Sequence, residues 1–287
     1  MQAVSSFQES INGRLFLVPT PIGNLDDMTF RAIKVLREVD LIAAEDTRHT
    51  RQLLNHFEID TPMISFHEHN TEQRIPQLLE RLTQGESIAQ CSDAGMPSIS
   101  DPGKELVAAC VQANIPVIPL PGANAGLTAL IASGLVPQPF YFYGFLERKT
   151  SLQQESLAAL KERQETIIFY EAPHRLAKTL QNMVTIIGPE RPVVLARELT
   201  KRYEEFIRGS LAEVLAWAQT DQVRGEFVIL LAGHPGDDDK SSEITENPID
   251  QIKHLIDQGE KVNTAIKLVA KKRGLNRQAL YREFHNL

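Results

Sequence analysis

The stretch RLFLVPTPIGNLDDMTFRAIKVLREV, residues 14–39, contains the pattern that decides the fold. Its first part, Arg14–Pro19, is a short apolar run typical of a buried strand, and the turn residues Pro19–Leu25 follow it. A strand, a turn and an amphipathic helix in succession predict one α/β unit. The apolar face of the helix consists of Met28, Ala32, Val35, Leu36 and Val39.

The same alternation of strand and helix patterns continues to about residue 235. Ten candidate strands are many for one sheet, so we predict an α/β fold with two domains and largely parallel sheets. The alternation of strand and helix patterns places the boundary between the two domains after the helix that ends near Ser133. As domain limits we adopt 12–122 and 123–235, so that this helix is counted with the second domain. The candidate strands are Arg14–Pro19, Leu41–Ala44, Met63–Phe66, Ser87–Cys91, Pro116–Pro119, Phe140–Tyr143, Thr166–Tyr170, Pro192–Ala196, Glu204–Arg208 and Phe227–Leu231.

A polar linker and a small helical domain are predicted beyond residue 235. Residues 236–248 are acidic, whereas residues 249–287 are basic and carry two helix patterns. The first pattern ends at Gly274, and Asn276 can cap the second, so we predict a helix-turn-helix-like unit. The predicted buried faces are Val262, Ala265, Ile266, Val269 and Ala270 in the first helix, and Ala279, Leu280 and Phe284 in the second.

Composition excludes several classes of protein. The chain has 287 residues, of which 42% are hydrophobic and 23% charged, as expected of a globular protein and not of a disordered or collagen-like one. No apolar run approaches the roughly 20 residues of a membrane span, and the N-terminus does not resemble a secretory signal. The two cysteines, Cys91 and Cys110, form no CxxC motif, which favours a reducing cytoplasm.

Charge differs between the parts of the chain. The net charge is −7 overall, which argues weakly against a nucleic-acid partner. Residues 251–287, however, contain eight basic and three acidic side chains. The basic part suits contact with RNA, although a helix-turn-helix can equally bind DNA.

Three loops of small residues follow strands of the predicted first sheet, where open α/β sheets bind ligands. The first contains Pro21 and Gly23, and the third, at 121–126, contains Asn124 and Ala125. The second, at 92–103, places Asp93 at a strand end. Asp101 followed by Pro102 favours a helix cap, with ligand contact as the alternative for Asp101. Each loop alone is also compatible with an ordinary turn, but together they predict one small-molecule cleft.

Four clusters carry groups suited to proton transfer or phosphate binding. Glu45 or Asp46 can accept a proton and Arg48 can hold a phosphate, unless Asp46 caps the next helix and Arg48 pairs locally. His67 and His69 can contact substrate, whereas a metal site is disfavoured because neither Cys nor HExxH lies nearby.

The other two clusters follow strands of the second predicted domain. Glu171 or His174 can transfer a proton and Arg175 can bind phosphate, unless Glu171 only stabilises a helix N-terminus. Lys201 belongs to the basic loop Arg197–Arg202, which can attract RNA or be a solvated surface loop. No single general base is distinguished.

Ordered motifs along the chain resemble those of the ribosomal RNA small-subunit methyltransferase I family, one of the tetrapyrrole-methylase-type S-adenosylmethionine (SAM) enzymes. The resemblance extends from about Gly13 to Gly233, and the family's C-terminal helical domain matches the basic tail. The motifs are LFLVPTPIGNLDDMTFRAIKVL (15–36), AAEDTRHTRQLL (43–54), SDAGMPSISDPG (92–103), PLPGANA (119–125), FYEAPHR (169–175) and LARELTK (195–201).

This resemblance implies a class III SAM methyltransferase fold, in which two α/β domains enclose SAM and a small helical domain follows. It also implies a homodimer that methylates the ribose 2′-oxygen of a cytidine in the decoding region of 16S rRNA, in the small ribosomal subunit and without a membrane partner. The implied cofactor-binding residues are Pro21, Gly23, Asp93, Ala94, Gly95, Met96, Ser100, Asn124, Ala125, Tyr170 and Ala196. No metal is implied.

Two other functions are compatible with such a scaffold. One is methylation of a tetrapyrrole or another small molecule, which does not require a basic tail. The other is a SAM-binding regulator that binds DNA through its tail. The resemblance favours the rRNA methyltransferase.

Overall fold

The computed structural model describes residues 3–6, 12–220, 223–236 and 247–285. The chain forms two compact units, Met1–His234 and Pro235–Leu287. Most of the predicted linker, residues 237–246, lies outside the described residues.

The first sheet has five parallel strands in the order β3-β2-β4-β1-β5. All four residues of β2 and of β4 are buried, as expected for central strands covered on both faces. The strands are β1 (Leu15–Leu17), β2 (Leu41–Ala44), β3 (Met63–Ser65), β4 (Ile88–Cys91) and β5 (Val117–Pro119). The helices are α1 (Phe30–Glu38), α2 (Thr47–His56), α3 (Thr71–Thr83) and α4 (Lys104–Gln112).

Helices cover this sheet on both faces because successive side chains of a strand point in opposite directions. Ile42 of β2 packs in one core with α1 and α2. Its neighbour Leu41 packs in another core with α3 and α4. The helix face predicted for α1 is buried in the first core. Because the five strands are parallel, their carboxyl ends lie along the same edge of the sheet.

The second sheet contains β6 (Phe140–Phe145), β7 (Thr166–Glu171), β8 (Pro192–Arg197), β9 (Glu205–Ser210) and β10 (Phe227–Leu231), in the order β6-β7-β10-β8-β9. Only β6 and β7 pair in parallel, so the expectation of a largely parallel sheet is wrong here. The connection from β8 to β9 is too short for a crossover and forces an antiparallel pair.

Helix α5 (Ala125–Ser133) packs on one face of the second sheet, against Ile168, Val228 and Leu230. The boundary expected after Ser133 is therefore wrong, since this helix contributes to the core of the second sheet. The opposite face is covered by α6 (Thr150–Leu160), α7 (Pro173–Ile187) and α8 (Leu211–Thr220).

In the second unit, the described residues 247–285 form three helices, α9 (Pro248–Asp257), α10 (Val262–Arg273) and α11 (Arg277–Phe284). Gly274 ends α10 in the left-handed conformation, and the Asn276 side chain caps α11, as predicted. The additional helix α9 contributes Ile252 to the core that α10 and α11 share.

Two further features concern the whole chain. Cys91 and Cys110 are buried free thiols, and burial raises the pKa of each to about 12. Among the described residues, no helix combines the length and apolarity that crossing a membrane would require.

Candidate active site

A cavity of about 480 Å³ lies between the two sheets of the first unit. Its lining comes from loops after β2, β4 and β5 and from the facing ends of β7, β8 and β10. Eleven of the residues selected from the sequence line this cavity: Glu45, Asp93, Ala94, Gly95, Met96, Ser100, Asn124, Ala125, Tyr170, Glu171 and Ala196.

The loop after β4 is held against the loop after β1. Thr20 and Gly95 exchange two backbone hydrogen bonds of 3.0 Å, and Thr20 Oγ1 donates to the Ser92 carbonyl at 3.1 Å. These bonds bring two of the predicted loops together at the carboxyl end of the sheet. Pro21 and Gly23 line a smaller cavity of about 220 Å³, which shares Asp93 with the large one.

The end of the loop at 92–103 differs from the expectation. Helix α4 begins at Lys104 with Gly103 as its N-cap, so the prediction that Asp101 caps this helix is wrong. Gly103 has φ +139°, and Gln90 and Ser98 occupy the space that a Cβ would need. This turn leaves Asp101 in the wall of the large cavity.

Acidic side chains gather on one wall of the cavity. The Asp93 N–H donates to Glu45 Oε2 at 3.2 Å, and the Asp46 N–H donates to Asp93 Oδ1 at 3.1 Å. Burial raises the pKa of Glu45, and the charges of the nearby Asp101, Asp93 and Asp46 raise it further. Burial likewise raises the pKa of Asp101. A cation would relieve the repulsion in this wall.

Another part of the cavity wall is largely apolar and aromatic. The Tyr170 ring lies 5.5 Å from that of Phe145, and its hydroxyl accepts a hydrogen bond from the Gly126 N–H at 3.1 Å. Burial raises the pKa of Tyr170. Asn124 caps α5 by accepting from the Leu127 N–H at 2.9 Å. Such a wall suits a flat, uncharged ring.

Asp46 and Arg48 interact with each other instead of facing the cavity. Asp46 Oδ1 caps α2 through the Arg48 N–H at 2.8 Å, and its Oδ2 lies 2.7 Å from Arg48 Nη2. Arg48 thereby holds the pKa of Asp46 well below its usual range. Of the two interpretations given above for Asp46 and Arg48, the structure matches the one in which Asp46 caps α2 and Arg48 pairs locally.

Glu171 is held on three sides. Its side chain is 1% exposed, accepts from the Ala172 N–H and Thr179 Oγ1, and lies 3.3 Å from Arg175 Nε. Arg175 also donates to the carbonyls of Leu146 and Glu147. These contacts match the helix-stabilising alternative. His174 is exposed and lines a separate depression.

Lys201 lies outside the lining of the large cavity. Its Nζ contacts Glu198 at 2.9 Å and Glu226 at 2.8 Å. Its aliphatic part packs on Gly23, where a Cβ would come within 2.4 Å of Lys201 Cγ. The glycine thus permits contact between the first loop and the loop after β8.

His67 also lies outside the cavity lining. Its backbone N–H donates to Asn70 Oδ1 at 2.9 Å, and its Nε2 lies 3.2 Å from Asn70 Nδ2. Across the described residues, no cluster of three His, Cys, Asp or Glu side chains is arranged to hold a metal ion.

Part of the lining was not predictable from the sequence. Ile22 and Ile99 lie inside loops already selected, so their neighbours carried a signal. Glu226 and Phe227 carried no such signal in the sequence. They lie at the amino end of β10, which runs antiparallel to β7 and β8, whereas the site was expected only at carboxyl ends. The other missed lining residues are Phe145, Ala172, Pro173, Leu199 and Val228, whereas Asp101 lines the cavity as the less favoured of its two interpretations.

Comparison with known proteins identifies this architecture. Residues 14–215 match the family model for Tetrapyrrole (Corrin/Porphyrin) Methylases. The uroporphyrin-III C-methyl transferase from Thermus thermophilus, solved in complex with S-adenyl homocysteine, has the same fold. Its TM-score is 0.53 at 19% identity, over 77% of this chain and 97% of that one.

Two curated relatives match over nearly the full length. The ribosomal RNA small subunit methyltransferase I of Bacillus subtilis (strain 168) is 51% identical over 97% of this chain and 98% of its own. The protein of that name from Synechocystis sp. is 50% identical over 94% of this chain and 96% of its own. The chain therefore belongs to the ribosomal RNA small subunit methyltransferase I family, within the tetrapyrrole methylases.

Proposed function

We propose that this chain transfers a methyl group from SAM to the ribose 2′-oxygen of a cytidine in the decoding region of 16S rRNA, acting in the cytoplasm on the small ribosomal subunit. The observation that carries the proposal is the full-length identity of about half with proteins named ribosomal RNA small subunit methyltransferase I. That identity includes the basic C-terminal unit, which a small-molecule substrate would not require.

The cavity fits the cofactor. SAM carries a sulfonium and an ammonium group, which suit the acidic wall of Glu45, Asp93 and Asp101. The adenine ring suits the wall formed by Phe145, Tyr170 and neighbouring apolar residues. When bound, SAM supplies an electrophilic methyl carbon, so the protein need only position the acceptor and manage its proton.

Glu45 is the proton acceptor that the site supports best. Of the candidate bases, only Glu45 and Glu171 line the cavity, and Glu171 is fully engaged by Thr179 and Arg175. Glu45 is half-buried with a raised pKa, the tuning expected of a general base. Asp93 lies beside Glu45 and would contact the cofactor.

We propose that the active protein is a homodimer. Helix α5 presents Leu127 and Ile131, four residues apart on one side, and Ile131 is 82% exposed. Val136 and Phe140, shortly after the helix, are also exposed. Apolar groups exposed together mark an association surface, and a second copy of the chain is the simplest occupant.

The proposed reaction is tested with radiolabelled SAM and small ribosomal subunits that lack the modification. Label should appear on one nucleotide of the decoding region, and that position should resist alkaline cleavage because its 2′-oxygen is blocked. Label on a base would contradict the ribose assignment. Absence of label from subunits, despite measurable SAM binding, would direct the search to small-molecule acceptors.

A further inference from the structure

A basic depression adjoins the cofactor cavity on the side of the second sheet. Its volume is about 320 Å³. Arg148 lies just before α6, whereas His174 and Lys178 lie near the start of α7. Gln153, Arg175 and Thr179 complete the lining. We refer to this feature as the Arg148–Lys178 depression.

The depression and the cofactor cavity share the first turn of α7. Pro173 lines the cofactor cavity, and the next residue, His174, lines the depression. The two sites are therefore adjacent at the start of α7.

The cations of the depression differ in their partners. Arg175 is engaged by Glu171 and by the carbonyls of Leu146 and Glu147. Among the described residues, the side chains of Arg148 and Lys178 have no hydrogen-bond or ion-pair partner, and both residues are exposed. Their charges remain available to an anionic ligand.

The floor beneath these cations is polar and already satisfied. Gln153 and Thr179 are both buried, and Gln153 Nε2 donates to Thr179 Oγ1 at 3.2 Å. Gln153 Oε1 accepts from Asn182. The floor therefore holds the shape of the depression without consuming the charges at its rim.

The loop that the sequence favoured for RNA contact is less available. Lys201 is paired with Glu198 and Glu226. Arg197 donates to the Arg224 carbonyl at 2.8 Å and to Glu205 at 3.3 Å. Glu198, Glu226 and Glu205 thus offset two of the three cations that the sequence had assigned to RNA, and the third, Arg202, is exposed beside the Tyr203 ring.

We propose that the Arg148–Lys178 depression binds one backbone phosphate of the RNA, next to the nucleotide in the cleft. This assignment rests on the proposed function. A guanidinium and an ammonium at one concave site suit a phosphodiester, and phosphate contacts fix the register of a nucleic acid without reading its sequence. The depression would thus position the target ribose.

The test compares R148A/K178A with wild type in methylation and in rRNA binding. The double variant should raise the KM for RNA about tenfold and leave the Kd for SAM unchanged. The slope of log affinity against log salt should fall by about 0.7–0.9, the value for one phosphate. R31A/K161A is a matched control, because it removes the same charges from α1 and from the exposed residue that follows α6.

Binding is measured with S-adenosylhomocysteine present, so that it does not depend on turnover. An unchanged salt slope in R148A/K178A, or an equal change in R31A/K161A, would overturn the phosphate site. Wild-type binding that depends on Arg148 and Lys178 but yields no methylation would support the depression and refute the proposed reaction. Failure of wild type to bind rRNA would overturn both.

Discussion

Asp93 occupies a central position at the scale of single residues, since both its backbone and its carboxylate are bonded within the acidic wall. We predict that Asp93→Ala weakens SAM binding about 10- to 100-fold, the effect of losing a hydrogen bond to a charged group. Asp93→Asn keeps an acceptor for the Asp46 N–H, so its affinity for SAM should lie between those of wild type and Asp93→Ala. Calorimetric titration measures both, and an unchanged Kd in Asp93→Ala would remove Asp93 from the site.

Glu45 predicts a pH dependence. Burial raises its pKa above the ordinary 4.5, so the folded protein holds this proton over a pH range where an exposed glutamate is ionised. A protonated Glu45 cannot accept the hydroxyl proton. The rate of methylation should therefore fall as the pH is lowered into that range.

Glu45→Gln should lower kcat about 100-fold and abolish this pH dependence. Asp101→Asn is the comparison: it removes a charge that raises the pKa of Glu45, so it should move the dependence to lower pH without abolishing it. Single-turnover rates measured across a range of pH distinguish the two variants. If Asp101→Asn abolished the dependence and Glu45→Gln did not, Glu45 would not be the base.

Gly103 shows at the scale of elements how one backbone position shapes the cofactor loop. In Gly103→Ala the new Cβ would lie 2.1 Å from Gln90 Nε2 and 2.2 Å from Ser98 Oγ, at φ +139°. We predict at least tenfold weaker SAM binding and a free energy of unfolding lowered by roughly 1–3 kcal/mol from the backbone alone.

Gly188→Ala provides the comparison for Gly103→Ala. Gly188 has φ +115°, no atom within 4 Å of the added Cβ, and a position at the opposite end of α7 from the cavity. It should lose stability but keep its SAM affinity. Equal loss of SAM affinity in both variants, by calorimetry and thermal unfolding, would mean that Gly103 has no specific effect on the loop.

The positions of the strands were predictable from the sequence, but the directions of the strands in the second sheet were not. Short apolar runs bounded by Gly and Pro identify strands because burial and turn chemistry are local properties. Strand direction depends on pairing between distant segments. β10 inserts between β7 and β8 with the opposite direction, and no local pattern distinguishes that arrangement from a parallel one.

The site was predictable to the extent that its residues lie in loops after parallel strands. Asp93 and Asn124 were found in this way, whereas Glu226 was missed with the direction of β10. Asp46 and Glu171 illustrate a second limit, because carboxylates that suit proton transfer also serve the fold: Asp46 caps α2, and Glu171 binds Thr179 and Arg175. Only the three-dimensional contacts distinguish the two roles.

The division into two units makes a prediction at the scale of the whole molecule. Every residue that lines the cofactor cavity belongs to Met1–His234, whereas the basic α10 and α11 belong to the other unit, which has its own core. Deleting residues 241–287 should leave the Kd for SAM unchanged and raise the KM for RNA several-fold.

Calorimetry and steady-state kinetics on the truncated protein check this separation. Replacing the exposed Lys267, Lys271 and Arg282 with alanine in the full chain should reproduce part of the rise in KM. Normal methylation by the truncated protein would show that the helical unit has another task.

The two buried thiols have a practical consequence. With a pKa of about 12, only on the order of one in 10⁵ of each thiol is ionised at neutral pH, so Cys91 and Cys110 should scarcely react with alkylating reagents in the folded protein. One cysteine introduced on the surface of each unit would then take up a fluorescent maleimide, with both native cysteines left in place. Energy transfer between the two dyes would follow the separation of the units in solution as RNA is added.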